Sequence, residues 1–105
     1  MNRKANVEIY NLKIGQVVSS KAGRDKGHFY LIYALDDVND RVLLVDGEKR
    51  IPQNPKIKNP LHLQKTKIVN QLFREKVNNG SVITANEIKE FFQSLELTGS
   101  EQGGV

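Results

Sequence analysis

The run Phe29-Tyr-Leu-Ile-Tyr-Ala-Leu35, Asp36-Asp-Val-Asn-Asp40, Val42-Leu-Leu-Val45, Asp46-Gly47 decides the fold class. Phe29–Leu35 is dense in aromatic and aliphatic residues, the composition of a core strand. Asp36–Asp40 is a turn signal, because Asp and Asn side chains hydrogen-bond the local backbone and compete with ladder pairing. Val42–Val45 reads as the partner strand. Asp46-Gly47 then reads as a hairpin turn, with the glycine supplying a positive φ, and Lys49-Arg-Ile51 as the start of the returning strand.

Upstream, Gly15-Gln-Val-Val-Ser is a short strand opened by a glycine. Downstream, Pro52, Pro55 and Pro60 keep Ile51–Pro60 out of a central strand and out of a helix. Leu61-His-Leu-Gln64 reads as a last short strand. Strands at this spacing predict a small barrel rather than βαβ units.

The final third reads as helical. Between Lys65 and Val77, apolar residues at 68, 69, 72, 73 and 77 mark one face of a helix, with Gly80 free to form its left-handed cap. Thr84-Ala-Asn-Glu87 has the form of a capping box, and behind it Ile88, Phe91, Phe92 and Leu95 make a second apolar stripe. The expected class is mainly β with C-terminal helices. Its expected parts are a barrel over residues 1–66, a helical extension over 67–98 packed on or beside it, and a flexible tail over 99–105.

The chain has 105 residues and 38% apolar content, enough for one modest core. It has no cysteine, which excludes disulfides, thiolate metal sites and a cysteine nucleophile. The apolar runs are strand-sized and too short to cross a bilayer. No signal-peptide pattern follows the charged start. The expectation is a cytoplasmic protein, monomeric when free, with no membrane association.

Enzyme chemistry finds little support. His28 and His62 lack metal-ligand spacing, Ser19-Ser20 lacks a nucleophile elbow, and Gly23-Arg-Asp-Lys-Gly27 does not match a triphosphate-binding loop. No catalytic residue, metal site, cofactor or small-molecule substrate is expected.

Charge is unevenly distributed. Residues 1–67 hold thirteen Lys and Arg against seven Asp and Glu, whereas residues 68–105 hold three against five. Lys49–Lys67 has six basic residues and no acid. Such a concentration attracts polyanions, although a solvated lysine-rich face accounts for the same charges equally well. Lys21, Arg24 and Lys26 lie within six residues, beside Gly23 and Gly27, which permit tight curvature and close approach of a bulky ligand. Arginine adds a planar fork that fits phosphate. Asp25 is expected to shape the turn by accepting hydrogen bonds from Arg24 or the turn backbone. An ordinary hairpin turn with solvated lysines fits this segment as well as a nucleic-acid contact does.

The order Gly15-Gln-Val-Val, Ser20-Lys-Ala-Gly-Arg-Asp-Lys-Gly27, Phe29–Leu35 resembles the KOW motif, with Gly27 matching its glycine. Val42-Leu-Leu-Val-Asp-Gly-Glu-Lys-Arg50 and Asn54-Pro-Lys-Ile-Lys-Asn59, followed by His62-Leu63, look like the bacterial KOW-domain RNA-binding proteins. Those are related to large-subunit ribosomal proteins of archaea and eukaryotes. The likeness covers roughly residues 12–66 and extends loosely to the C-terminal helix. It implies an SH3-like five-stranded barrel and contact with ribosomal or other structured RNA. Lys21, Arg24 and Lys26 would approach phosphate, and Arg50, Lys56, Lys58 and His62 would extend that surface, with His28 and Lys49 beside them. Gly23, Asp25, Gly27, Asp46 and Gly47 would shape the loops. Ile57 and Leu61 stand where more basic members carry lysine. KOW domains also serve as protein-binding modules in transcription factors, so the alternative is a protein-interaction module acting through the C-terminal helices, for which an exposed strip along Ile88, Phe91, Phe92 and Leu95 would speak.

Overall fold

The computed structural model describes residues 11–95; the expected tail lies outside them. Five strands, β1 (Gln16–Ser20), β2 (Phe29–Asp36), β3 (Arg41–Val45), β4 (Lys56–Lys58) and β5 (Leu63–Val69), are followed by helices α1 (Gln71–Asn79) and α2 (Ala85–Leu95). The strands form one antiparallel sheet in the order β4-β3-β2-β1-β5.

Strand alternation builds two cores from one sheet. Val18, Tyr30, Ile32, Val42 and Leu44 face one side and bury together with Leu12 and Leu63. Val17, Leu31 and Val45 face the other and bury with Phe73, Ile83 and Ile88 from the helical third. The first core contains no helical residue among the described ones. Register irregularities in β1 between Gln16 and Val18, and in β2 between Ile32 and Ala34, are of the kind that bends strands. Gln16, 5% exposed, satisfies the disturbed ladder by donating from Nε2 to the Thr66 carbonyl at 2.8 Å.

The turn after β2 forms as its sequence predicts, with Asp36 accepting hydrogen bonds from the backbone and side chain of Asn39. Asp46-Gly47 does not close a tight hairpin. Asp46 Oδ1 instead accepts from the amides of Glu48 and Arg50 at 2.8 and 2.9 Å, folding residues 46–50 onto themselves. Pro52 and Pro55 cannot donate to the β3 ladder. The returning strand is therefore delayed from Lys49–Ile51 to Lys56–Lys58. That strand lies at a sheet edge between Pro55 and Pro60, consistent with the exclusion of this segment from the sheet centre.

The expected strand Leu61–Gln64 begins later, at Leu63. Pro60–His62 is a single turn of 3-10 helix whose cap, Asn59, accepts from the Leu61 amide. The helix expected from Lys65 to Val77 is corrected more substantially. Lys65–Val69 belongs to β5, and α1 starts only at Gln71, after Asn70 accepts from the Phe73 amide at 3.0 Å. Thr66, Ile68 and Val69 are β-branched and favour a strand, and the cap at Asn70 resets the chain for helix. The strand thus runs past residue 66.

Gly80 takes the left-handed conformation and ends α1, and the capping box forms, Thr84 N donating to Glu87 Oε2 and Glu87 N to Thr84 Oγ1. Lys76 Nζ, 2.6 Å from Glu87 Oε1, ties the two helices together and holds the Glu87 carboxyl below its usual range. Both helices lie on the sheet. Phe73 and Ile88 are 4% and 1% exposed, and burial of each stabilises the fold by roughly 1.5–3 kcal/mol. No helix among the described residues is long and apolar enough to cross a membrane.

Candidate nucleic-acid interface

The turn between β1 and β2 is closed by Gly27 N donating to the Ser20 carbonyl at 2.8 Å and Ser20 N donating to His28 O at 3.0 Å. Gly23 and Gly27 both have positive φ, at 86° and 91°, as their assignment as shaping residues requires. Asp25 is pinned from three directions. Tyr30 donates its hydroxyl to Oδ2, Ser20 Oγ lies 2.9 Å from Oδ1, and Lys58 Nζ lies 3.1 Å from Oδ1. Burial alone would raise the Asp25 carboxyl, but these bonds from Tyr30, Ser20 and Lys58 outweigh it and lower it to about 2. The expected partner Arg24 is not among them.

Lys58 explains why β4 lies close to this turn. In the register of β3 against β4, Lys58 stands opposite Val42 and Lys56 opposite Leu44. Cross-strand partners share a face, so both lysines stand on the side of the first core, with Val42 and Leu44. From there Lys58 reaches Asp25 and the Ala22 carbonyl in the turn between β1 and β2. Ile57, on the opposite face, is exposed.

The second basic segment meets the first through His28 and Asp46. His28 Nε2 donates to Asp46 Oδ2 at 2.7 Å, and its ring sits edge-on to Tyr30. Burial works against the charged Asp46 carboxylate. The amides of Glu48 and Arg50 and the imidazole overcome it and leave the pKa lowered. Gly47, with φ of 83°, lies against α2: a Cβ there would fall 2.7 Å from the Lys89 nitrogen and 2.8 Å from the Ala85 carbonyl oxygen.

Together these residues create one cleft of about 830 Å³. Arg24, Lys26 and His28 line it from the turn, and Lys49, Arg50 and Lys56 from the acid-free segment. Three acids also border it. Asp25 is committed to Lys58, Tyr30 and Ser20, and Asp46 to His28 and two amides, which leaves Glu48 as the acid with no such partners among the described residues, opposite five Lys and Arg. The cleft therefore carries an excess of positive charge.

Six of the nine residues expected to contact RNA come together in this cleft. Lys58 does not line it: its side chain is 10% exposed and its charge is spent on Asp25. Lys21 and His62 lie on an adjoining edge, joined by a backbone hydrogen bond from Lys21 N to His62 O at 2.8 Å, with both side chains exposed. The two aromatic residues opening β2 divide between the faces as alternation requires. Tyr30 is buried and hydrogen-bonded, so it offers no stacking surface, whereas Phe29 is half-buried on the helix side. In the strip Ile88, Phe91, Phe92, Leu95, Ile88 is buried, whereas Phe91, Phe92 and Leu95 pack against the helix-side core and stay partly exposed.

Sequence reasoning missed α2 as part of this region. Lys89 and Phe92 border a smaller cavity of about 320 Å³ that shares Gly27, His28, Asp46 and Glu48 with the basic cleft. The only sequence signal was Gly47, whose close approach to α2 is not readable from a dipeptide that also marks a turn. No protein-family model matches the chain, and no curated protein matches it.

Proposed function

We propose that this chain is a non-catalytic RNA-binding protein of the KOW type, with an SH3-like barrel, that holds structured RNA of the ribosome in its basic cleft. The observation that carries the reading is the junction of two basic segments, distant in sequence, across the His28–Asp46 bridge. Neither segment alone distinguishes a phosphate site from a solvated turn. A shared cleft whose acids are mostly neutralised from within favours the phosphate site, because backbone phosphates need several cations at once. The antiparallel order of five strands and a core on the sheet face away from the helices are compatible with the architecture that the motif resemblance implies. Ribosome association would place the protein in translation, in the cytoplasm.

Co-sedimentation with ribosomal particles tests the proposal. Association is expected to disappear on ribonuclease treatment and to weaken in a Lys21→Ala, Arg24→Ala, Lys26→Ala triple variant. Association that survives ribonuclease unchanged would replace RNA with a protein partner. A triple variant that binds as the parent does would remove this turn from the interface.

A further inference from the structure

The smaller cavity beside the basic cleft has a different chemistry. Its walls include Phe29 on β2 and Phe92 on α2, both half-buried, with Lys89 at the same site. It shares His28, Asp46 and Glu48 with the cleft, so the two cavities adjoin. At about 320 Å³ it lies at the lower end of the ~300–1,000 Å³ typical of ligand pockets, a size suited to one flat group rather than an extended one.

We infer that this cavity takes a single unstacked RNA base, extruded from a bulge or loop, while the neighbouring phosphates rest on Arg24, Lys26, Lys49 and Arg50. The inference rests on the proposed RNA-binding function and names the kind of RNA: structured, but interrupted by an unpaired nucleotide. Proteins read RNA sequence chiefly at such splayed nucleotides, because the narrow major groove of an A-form helix excludes side chains. Aromatic side chains receive such bases through their π faces, and a nearby ammonium adds to the attraction. Glu48 has a natural role in this arrangement. A carboxylate repels phosphate, yet it accepts hydrogen bonds from the amino or imino edge of a base. Its place where the basic cleft meets the aromatic cavity suits a base edge entering between phosphates. An uninterrupted duplex would use the cations and leave the aromatic cavity empty.

Three RNA hairpins of the same stem separate the possibilities: one fully paired, one with a single bulged adenosine, and one with an abasic residue at the bulge. The protein is expected to bind the bulged hairpin about five- to a hundredfold more tightly than the other two, the range that stacking of one base supplies. A fluorescent adenine analogue at the bulge should change its emission on binding. Phe92→Leu keeps an apolar side chain of similar volume against the helix-side core, and is expected to abolish the preference without lowering affinity for the paired stem. A Phe92→Leu protein whose thermal unfolding matches the parent, but which still prefers the bulge, would overturn the inference. Equal binding of all three hairpins by the parent would overturn it and leave RNA binding intact. Binding of none would overturn both.

Discussion

Lys58 Nζ lies 3.1 Å from Asp25 Oδ1 and 3.2 Å from the Ala22 carbonyl oxygen, so one lysine on an edge strand fastens the basic turn between β1 and β2. A residue that charge counting assigns to the RNA surface is thereby a structural anchor. Its side chain is 10% exposed and its charge is neutralised within the protein.

Lys58→Met should therefore lower stability while sparing long-range attraction to RNA. Losing the ion pair leaves Asp25 with Tyr30 and Ser20 alone, and removal of one partner from a mostly buried pair of this kind costs about 1–3 kcal/mol. Urea unfolding measures that loss. A variant as stable as the parent would show that the turn holds itself without β4.

The cations lining the cleft should behave in the opposite way. Arg24→Ala, Lys26→Ala, Lys49→Ala and Arg50→Ala each remove a charge that lines the cleft. For each phosphate left without its cation, the dependence of log affinity on log salt should flatten by ~0.7–0.9. Lys58→Met should leave that slope unchanged, because its charge releases no counterion. Salt titrations of the five variants on one RNA make the comparison. A slope change for Lys58→Met equal to that of Lys26→Ala would contradict the division between anchoring and phosphate-binding lysines.

Asp25 gives the stability a defined acid limit. Its folded pKa, about 2, lies below the ~3.9 of an unfolded aspartate. The folded state therefore binds this proton less readily than the unfolded state, and the contribution to stability is complete above pH ~4. It fades as pH falls from there through about 2. Asp25→Asn removes this titration, so its melting temperature should fall less steeply than that of the parent across the window. Asp46 and Glu87, also lowered, keep some acid sensitivity in the variant. Parallel profiles for the two proteins would rule out Asp25 as a source of acid sensitivity.

Much of this arrangement was legible in the sequence, and the exceptions have physical causes. The strands at Gln16–Ser20, Phe29–Asp36 and Arg41–Val45 follow from composition and turn residues, and the Thr84–Glu87 capping box forms as written. Local chemistry decides such features. Ile68 and Val69 read as helix because, with Leu72 and Phe73, they satisfy a helical repeat, and the structure corrects them to strand, which their own branching favours. The Lys58 partner of Asp25 could not be read, since it stands 33 positions away and meets it only through the tertiary fold. The same holds for α2, which joins the site through packing at Gly47.

Gly47 and Gly27 offer a matched test of that packing. Both have positive φ, 83° and 91°, so alanine at either position carries the left-handed penalty of about 1–2 kcal/mol. At Gly27 a Cβ meets nothing within 4 Å, and the cost should stop there. At Gly47 the Cβ would lie 2.7 Å from the Lys89 nitrogen, 2.8 Å from the Ala85 carbonyl oxygen and 3.0 Å from the Ile88 Cβ. Two of these are backbone atoms that cannot swing aside, so α2 must move off the loop, and with it the burial of Ile88. Gly47→Ala should accordingly lose more than about 2 kcal/mol beyond Gly27→Ala, and its α2 amides should exchange hydrogen faster while those of β2 stay protected. Equal destabilisation by the two alanines would mean that α2 is not seated on this loop, and the aromatic cavity between Phe29 and Phe92 would lose its wall.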